Sequence, residues 1–195
     1  MVPEAMEAVM KLTVGVVLSV LLVVAAIALA GPEPADEAGR QFDQDLARLL
    51  VKLELRTRAV IAKHYVSADD PHREWLARNL LLPAAVADKV FHEVVPDATE
   101  GRAWVKMIVD EPRNPNNVGD AVTLALLNEL RGGEPRAERS TDDAYYYGEP
   151  INAAKGCLAC HGGPRGEPDP FFPQYEKNGW QEGEVVGAVV ARVAR

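Results

Sequence analysis

Both cysteines of this 195-residue chain fall in one short segment, "KGCLACHGGP", Lys155 to Pro164, and a histidine follows the second cysteine directly. That segment constrains the fold more than any other. No disulfide can staple distant elements together, so the rest of the chain has to be held by an apolar core. The glycines and proline after His161 leave no room for a long helix behind the two thiols.

The compartment decides which cysteine chemistry is available. From Leu12 to Ala30 the chain reads "LTVGVVLSVLLVVAAIALA", with no charged residue, which is long enough for a membrane-spanning helix. It ends in Ala28-Leu29-Ala30, a small-residue pattern that a signal peptidase can cut. A buried core helix is the alternative, but the uninterrupted apolar run argues against it. Retained as an anchor or cleaved, the segment exports everything after Gly31. The expected organisation is an anchor or signal segment over 1–30, a linker over 31–40 and one folded domain over 41–195. The chain carries 21 Lys and Arg against 29 Asp and Glu, a net charge of −8. Such a surface excludes a nucleic-acid binder and suits a protein partner with a basic docking patch.

Three readings of the cysteines compete. A structural zinc site needs four ligands, and His161 stands too close to Cys160 for the usual knuckle spacing. A thioredoxin-type pair follows a strand and opens a long helix, which the glycines and proline forbid. The Cys-x-x-Cys-His spacing fits a covalently attached c-type haem. Cys157 and Cys160 each form a thioether to a vinyl group, and His161 reaches the iron from the same side. This reading consumes both thiols and agrees with export.

Periodicity gives the elements. Asp36 to Val66 reads as one long helix whose apolar face carries Leu46, Leu50, Leu53, Thr57, Val60 and, in the same spacing, His64. Its length suits a projecting helix or a contact with a second copy, so a homodimer is one expectation. Short helices are expected over 71–79 and 83–91. "RAWVKMIVD" alternates as a strand, and Asp120 or a neighbour caps the helix "AVTLALLNELRGG", which stops at a glycine pair. "AYYYGEPI" and "EVVGAVVARV" read as strands. The fold class is α+β, with helices flanking an antiparallel sheet.

A haem iron held by His161 has a second face. The exported part offers His64, His72, His92 and Met107 for it. His72 lies in the charged run "DDPHRE", and His92 suits a helix surface. Met107 falls on a strand, where a core role is the plainer reading. His64 continues an apolar helix face and is either a core histidine or an iron ligand held on a rigid element.

"EPRNPNNVGDA", "YYYGEPI", "CLACHGGP" and "GEVVGAVVARV", in that order, resemble the PAS-like single-haem c-type domains. The resemblance covers most of 41–195. It implies a PAS-like sheet against which one haem c packs. In some relatives the distal ligand is a cysteine in an Ala-Ile-x-x-Cys pattern. Here "AVIAKH" puts His64 near that place, so the resemblance implies a bis-histidine iron. By resemblance and charge, Arg113 is expected at a haem propionate, while Asn114 and Asn116 brace its loop and Asn116 counts with the cofactor side. The alternative is a well-made turn without haem contact. Of Tyr145, Tyr146 and Tyr147, which alternate along a strand, Tyr146 is assigned to the porphyrin, with core packing as the other reading. "DPFFPQYEKNGW" forms a lid over the iron or covers a sheet face.

The function expected is one-electron transfer by a membrane-associated cytochrome on the periplasmic side of a bacterial inner membrane. Its partner is a redox protein or a membrane electron-transfer complex. The rival is a redox or nitric oxide sensor acting through a partner protein. Nothing compels the distal acid–base groups of a haem enzyme, so no catalytic residue is assigned.

Overall fold

The computed structural model describes residues 37–65 and 83–195. The apolar segment Leu12–Ala30, the short helix expected over 71–79 and His72 lie outside the described residues. Among the described residues, no helix is long and apolar enough to cross a membrane.

Helix α1 spans Glu37–Tyr65 and so begins inside the expected linker. Helix α2 spans Pro83–Ala98, well past the expected end at Phe91. Phe91 and Val95, four residues apart, are both fully buried, and that shared face extends the helix. The Thr99 hydroxyl then donates to the Val95 carbonyl and accepts from the Ala103 amide, turning the chain into the sheet.

The sheet contains β1 (Ala103–Ile108), β2 (Ala137–Ser140), β3 (Ala144–Asn152) and β4 (Val185–Ala194), all antiparallel, in the spatial order β1-β4-β3-β2. Helix α3, Ala121–Arg131, lies between β1 and β2 in the chain. Its start is fixed by Asp120, whose carboxylate accepts the Thr123 amide at 2.8 Å, and its end by the pair Gly132–Gly133.

Strand alternation divides the core in two. Ala103, Val105, Tyr145, Tyr147, Val189, Ala191 and Val193 pack under α1 and α2, against Leu46, Leu50, Val51, Phe91 and Val95. Ile108, Ala144, Tyr146, Ala188 and Val190 pack under α3, against Leu126, Leu127 and Leu130. Helices cover both faces of β4, which explains its unbroken apolar run.

The buried stripe of α1 departs from expectation beyond Leu50. It turns through Val51 to Glu54, whereas Val60 is 42% exposed. The 3.6-residue period drifts steadily off a seven-residue pattern, so a helix of 29 residues lying on a flat sheet cannot keep one strict stripe buried. Glu54 has no exposure and is paired to Arg58 one turn on, with Nε at 2.9 Å from Oε1. Arg58 also brings Nη1 to 3.7 Å from the Met107 sulfur.

These contacts set the direction of α1. Asp43 accepts from Arg102 just before β1, Arg48 reaches Glu138 on β2, and Arg58 meets Met107 near the end of β1. The helix therefore runs towards the sheet end where β1 and β3 finish and β4 starts.

Candidate functional site

That sheet end carries the cysteine segment. After β3 closes at Asn152, the chain makes a single 3-10 turn, Lys155–Cys157, and then the one-turn helix α4, Leu158–His161. Ala153 donates to the Glu184 carbonyl and receives the Gly183 amide, so the segment's entry is pinned beside the start of β4. Residues three apart on a helical turn share a face. Cys157 and Cys160 are thus presented together, half-buried and not joined in a disulfide. Among the described residues, no group of three His, Cys, Asp or Glu side chains is arranged to hold a metal ion. The donor set here is two thiols and one imidazole, one ligand short of a four-ligand zinc clip.

Gly162 ends α4 for a steric reason. A Cβ there would lie 2.5 Å from the Leu158 carbonyl oxygen, the acceptor of the Gly162 amide. Only glycine lets the chain leave at once after the histidine.

His161 is held on three sides. Its Nδ1 lies 2.7 Å from Asn178 Oδ1, its ring stacks on Trp180 with centroids 4.2 Å apart and planes 12° apart, and its carbonyl accepts the Trp180 amide. An amide oxygen only accepts, so Nδ1 carries the proton and Nε2 keeps a free lone pair. Burial pushes the histidine pKa below its ordinary value; the Asn178 hydrogen bond opposes this and the nearby Arg113 charge adds to it. The ring is neutral at physiological pH, the form that binds a metal.

The chain from Gly162 to Gly183 is an ordered strap. Gly166 donates to the Lys177 carbonyl, Lys177 to the Glu167 carbonyl and Asp169 to the Tyr175 carbonyl, forming a small hairpin. The Asp169 side chain, fully buried, accepts the amides of Phe171 and Phe172 and receives Arg113 at 2.6 Å. Arg113 also donates to the carbonyls of Cys160 and Glu176.

The geometry gives Arg113 and Tyr146 definite places in the fold. The two Nη groups of Arg113 bond Asp169 and two carbonyls and so clamp the strap to α4, while its buried Nε has no hydrogen-bond partner. Tyr146 is 7% exposed in the core under α3, with its hydroxyl accepting from Arg192 and its ring edge-on to Trp104. It pairs with Arg192 opposite Trp104, towards the start of β1 and away from α4. Strand alternation turns it away from the face under α1.

Asn114 braces its loop as expected, its side chain accepting the Asn116 amide, while Asn116 itself is exposed. Met107 is half-buried on β1 beside Arg58. His92 lines a cavity of about 170 Å³ with Pro96, Trp104, Val105 and Lys106. His64 lies on the last two turns of α1, and its side chain is outside the described residues. Sequence reasoning missed Asp169 and Asn178. Asn178-Gly179 reads as an ordinary turn, and nothing local links it to a histidine 17 positions earlier. Trp180, expected in a lid, lies against the imidazole itself.

The sequence model of the Tll0287-like family matches residues 37–194. Among solved structures, the chain is similar to the crystal structure of a cyanobacterial heme-protein, Tll0287, with a TM-score of 0.58 at 18% identity; the match covers 85% of this chain and 98% of that one. At that identity the likeness establishes a common fold. No curated protein matches the chain in sequence.

Proposed function

Because the chain belongs to the Tll0287-like family, we propose that it is a haem protein carrying single electrons, with one haem c joined to Cys157 and Cys160. His161 and His64 would hold its iron. The observation that carries this reading is His161, which is neutral, oriented through Nδ1 and left with an available Nε2 one residue after the second of two cysteines that form no disulfide. The haem protein of similar fold supports it. When bound, haem supplies a one-electron ferric–ferrous couple.

The protein residues do the rest. Cys157 and Cys160 fix the porphyrin on one face of α4. Asn178 and Trp180 hold the imidazole, and the strap limits water near it. Helix α1 carries His64 roughly 9 Å beyond Arg58 along its axis, towards the end of the sheet where α4 stands. Two imidazoles on the iron would suit electron transfer without binding of a substrate. The PAS-like arrangement, the periplasmic side of a membrane and a basic redox partner are parts of the same proposal, drawn from the exported segment and the net charge of −8.

The test is to express the full chain with c-type haem maturation and denature it. Haem that stays with the polypeptide supports the reading. Haem extracted by acidic acetone refutes the thioether assignment.

A further inference from the structure

Asn178 is a side-chain acceptor on the outer nitrogen of His161, carried by a separately anchored strap. The strap meets α4 through the Trp180 amide on the His161 carbonyl and the Gly179 amide on the Gly162 carbonyl. It is tied again through Arg113, which joins Asp169 and the Glu176 carbonyl of the strap to the Cys160 carbonyl of α4. The indole against one ring face fixes the orientation of the imidazole, and the amide oxygen at Nδ1 favours the proton on that nitrogen.

We propose that Asn178 is a positioning residue that sets how strongly His161 donates to haem iron, and that the strap, latched by Arg113 and Asp169, holds it in place. The proposal rests on the haem reading above. A hydrogen bond from Nδ1–H to an acceptor raises the basicity of Nε2, and an outer partner of this kind tunes a metal's ligand. A neutral amide oxygen is an intermediate acceptor. A carboxylate there pulls the proton harder and stabilises ferric iron, whereas an apolar side chain removes the effect.

The experiment compares the reduction potentials of the haem-loaded full chain, Asn178→Asp and Asn178→Leu. The expected result is shifts of opposite sign, lower for Asp and higher for Leu. Shifts of the same sign, or none, overturn the proposal, because a side chain that merely packs has no reason to move the potential in both directions. The second measurement needs no haem: nitrogen-15 NMR of the unloaded wild-type chain, with His161 expected as the Nδ1–H tautomer. An Nε2–H tautomer overturns the proposal even if both variants fail to fold. A wild-type chain that takes up no haem instead removes the functional reading, and the tautomer measurement then judges the placement of the proton by itself.

Discussion

Arg113 and Asp169 stand 56 positions apart in the sequence and meet at 2.6 Å, with the carboxylate side chain fully buried and the same guanidinium donating to the Cys160 carbonyl. A loop after β1 thereby holds both the cysteine turn and the strap behind it. Breaking a buried pair by removing one partner leaves a charge without compensation and costs about 3–5 kcal/mol. Asp169→Ala should lose stability on that scale in chemical denaturation and also release the amides of Phe171 and Phe172. Protection of the Trp180 amide from hydrogen exchange should fall with it, because that bond closes the strap.

Asp120 should contribute through its ionised form. Burial raises its pKa, but hydrogen bonds from Thr123, first through the amide and then the hydroxyl, outweigh this, and the net direction is downward. A depressed carboxylate stabilises the fold above its unfolded pKa, and the benefit is lost as pH falls through the folded value. Asp120→Ala should therefore cost about 1 kcal/mol at neutral pH. The gap between wild type and variant should close below the usual aspartate range, as thermal unfolding across an acid series would reveal.

His64→Ala should convert a low-spin ferric spectrum to high-spin once haem is attached. An unchanged low-spin spectrum would give the second ligand position to another side chain. Two imidazoles also predict slow or absent carbon monoxide binding by the ferrous wild type. Fast, tight binding would favour a gas sensor over a carrier.

Gly162→Ala should weaken α4 and haem attachment together. Its Cβ would meet the Leu158 carbonyl oxygen at 2.5 Å, so the backbone has to shift. Overpacking of this kind costs about 1–3 kcal/mol. The checks are denaturation of the unloaded chain and the fraction of purified protein carrying covalent haem.

Much of this molecule is legible in its sequence because the signals are local. The span of α1, the Asp120 cap with the Gly132–Gly133 stop, and the strands β1, β3 and β4 follow from periodicity and turn chemistry. What stayed hidden depends on partners far away in the chain. Strand β2, "AERS", is four residues long and carries almost no apolar pattern; it is a strand because Tyr145 to Gly148 pair with it. Residue type suggested a propionate for Arg113, but type alone cannot reveal a buried Asp169 that competes for the same guanidinium. Tyr146 shows the limit of an alternating pattern, which says that neighbours face opposite sides but not which side faces the cofactor. Asn178 had no signal at all, since its role exists only once the strap has folded back.

The place of β4 in the sheet has a consequence for how the molecule comes together. It is the latest of the four strands along the chain, yet it lies between β1 and β3 and pairs with both. Without Val185–Ala194, β1 pairs with no other strand and only β2 and β3 are joined, so the backbone ladder of the sheet is complete only with its last strand in place. The fold closes like a zip drawn from its last tooth, and the cysteine segment, pinned through Ala153 to Glu184 beside the start of that strand, takes its seat with it.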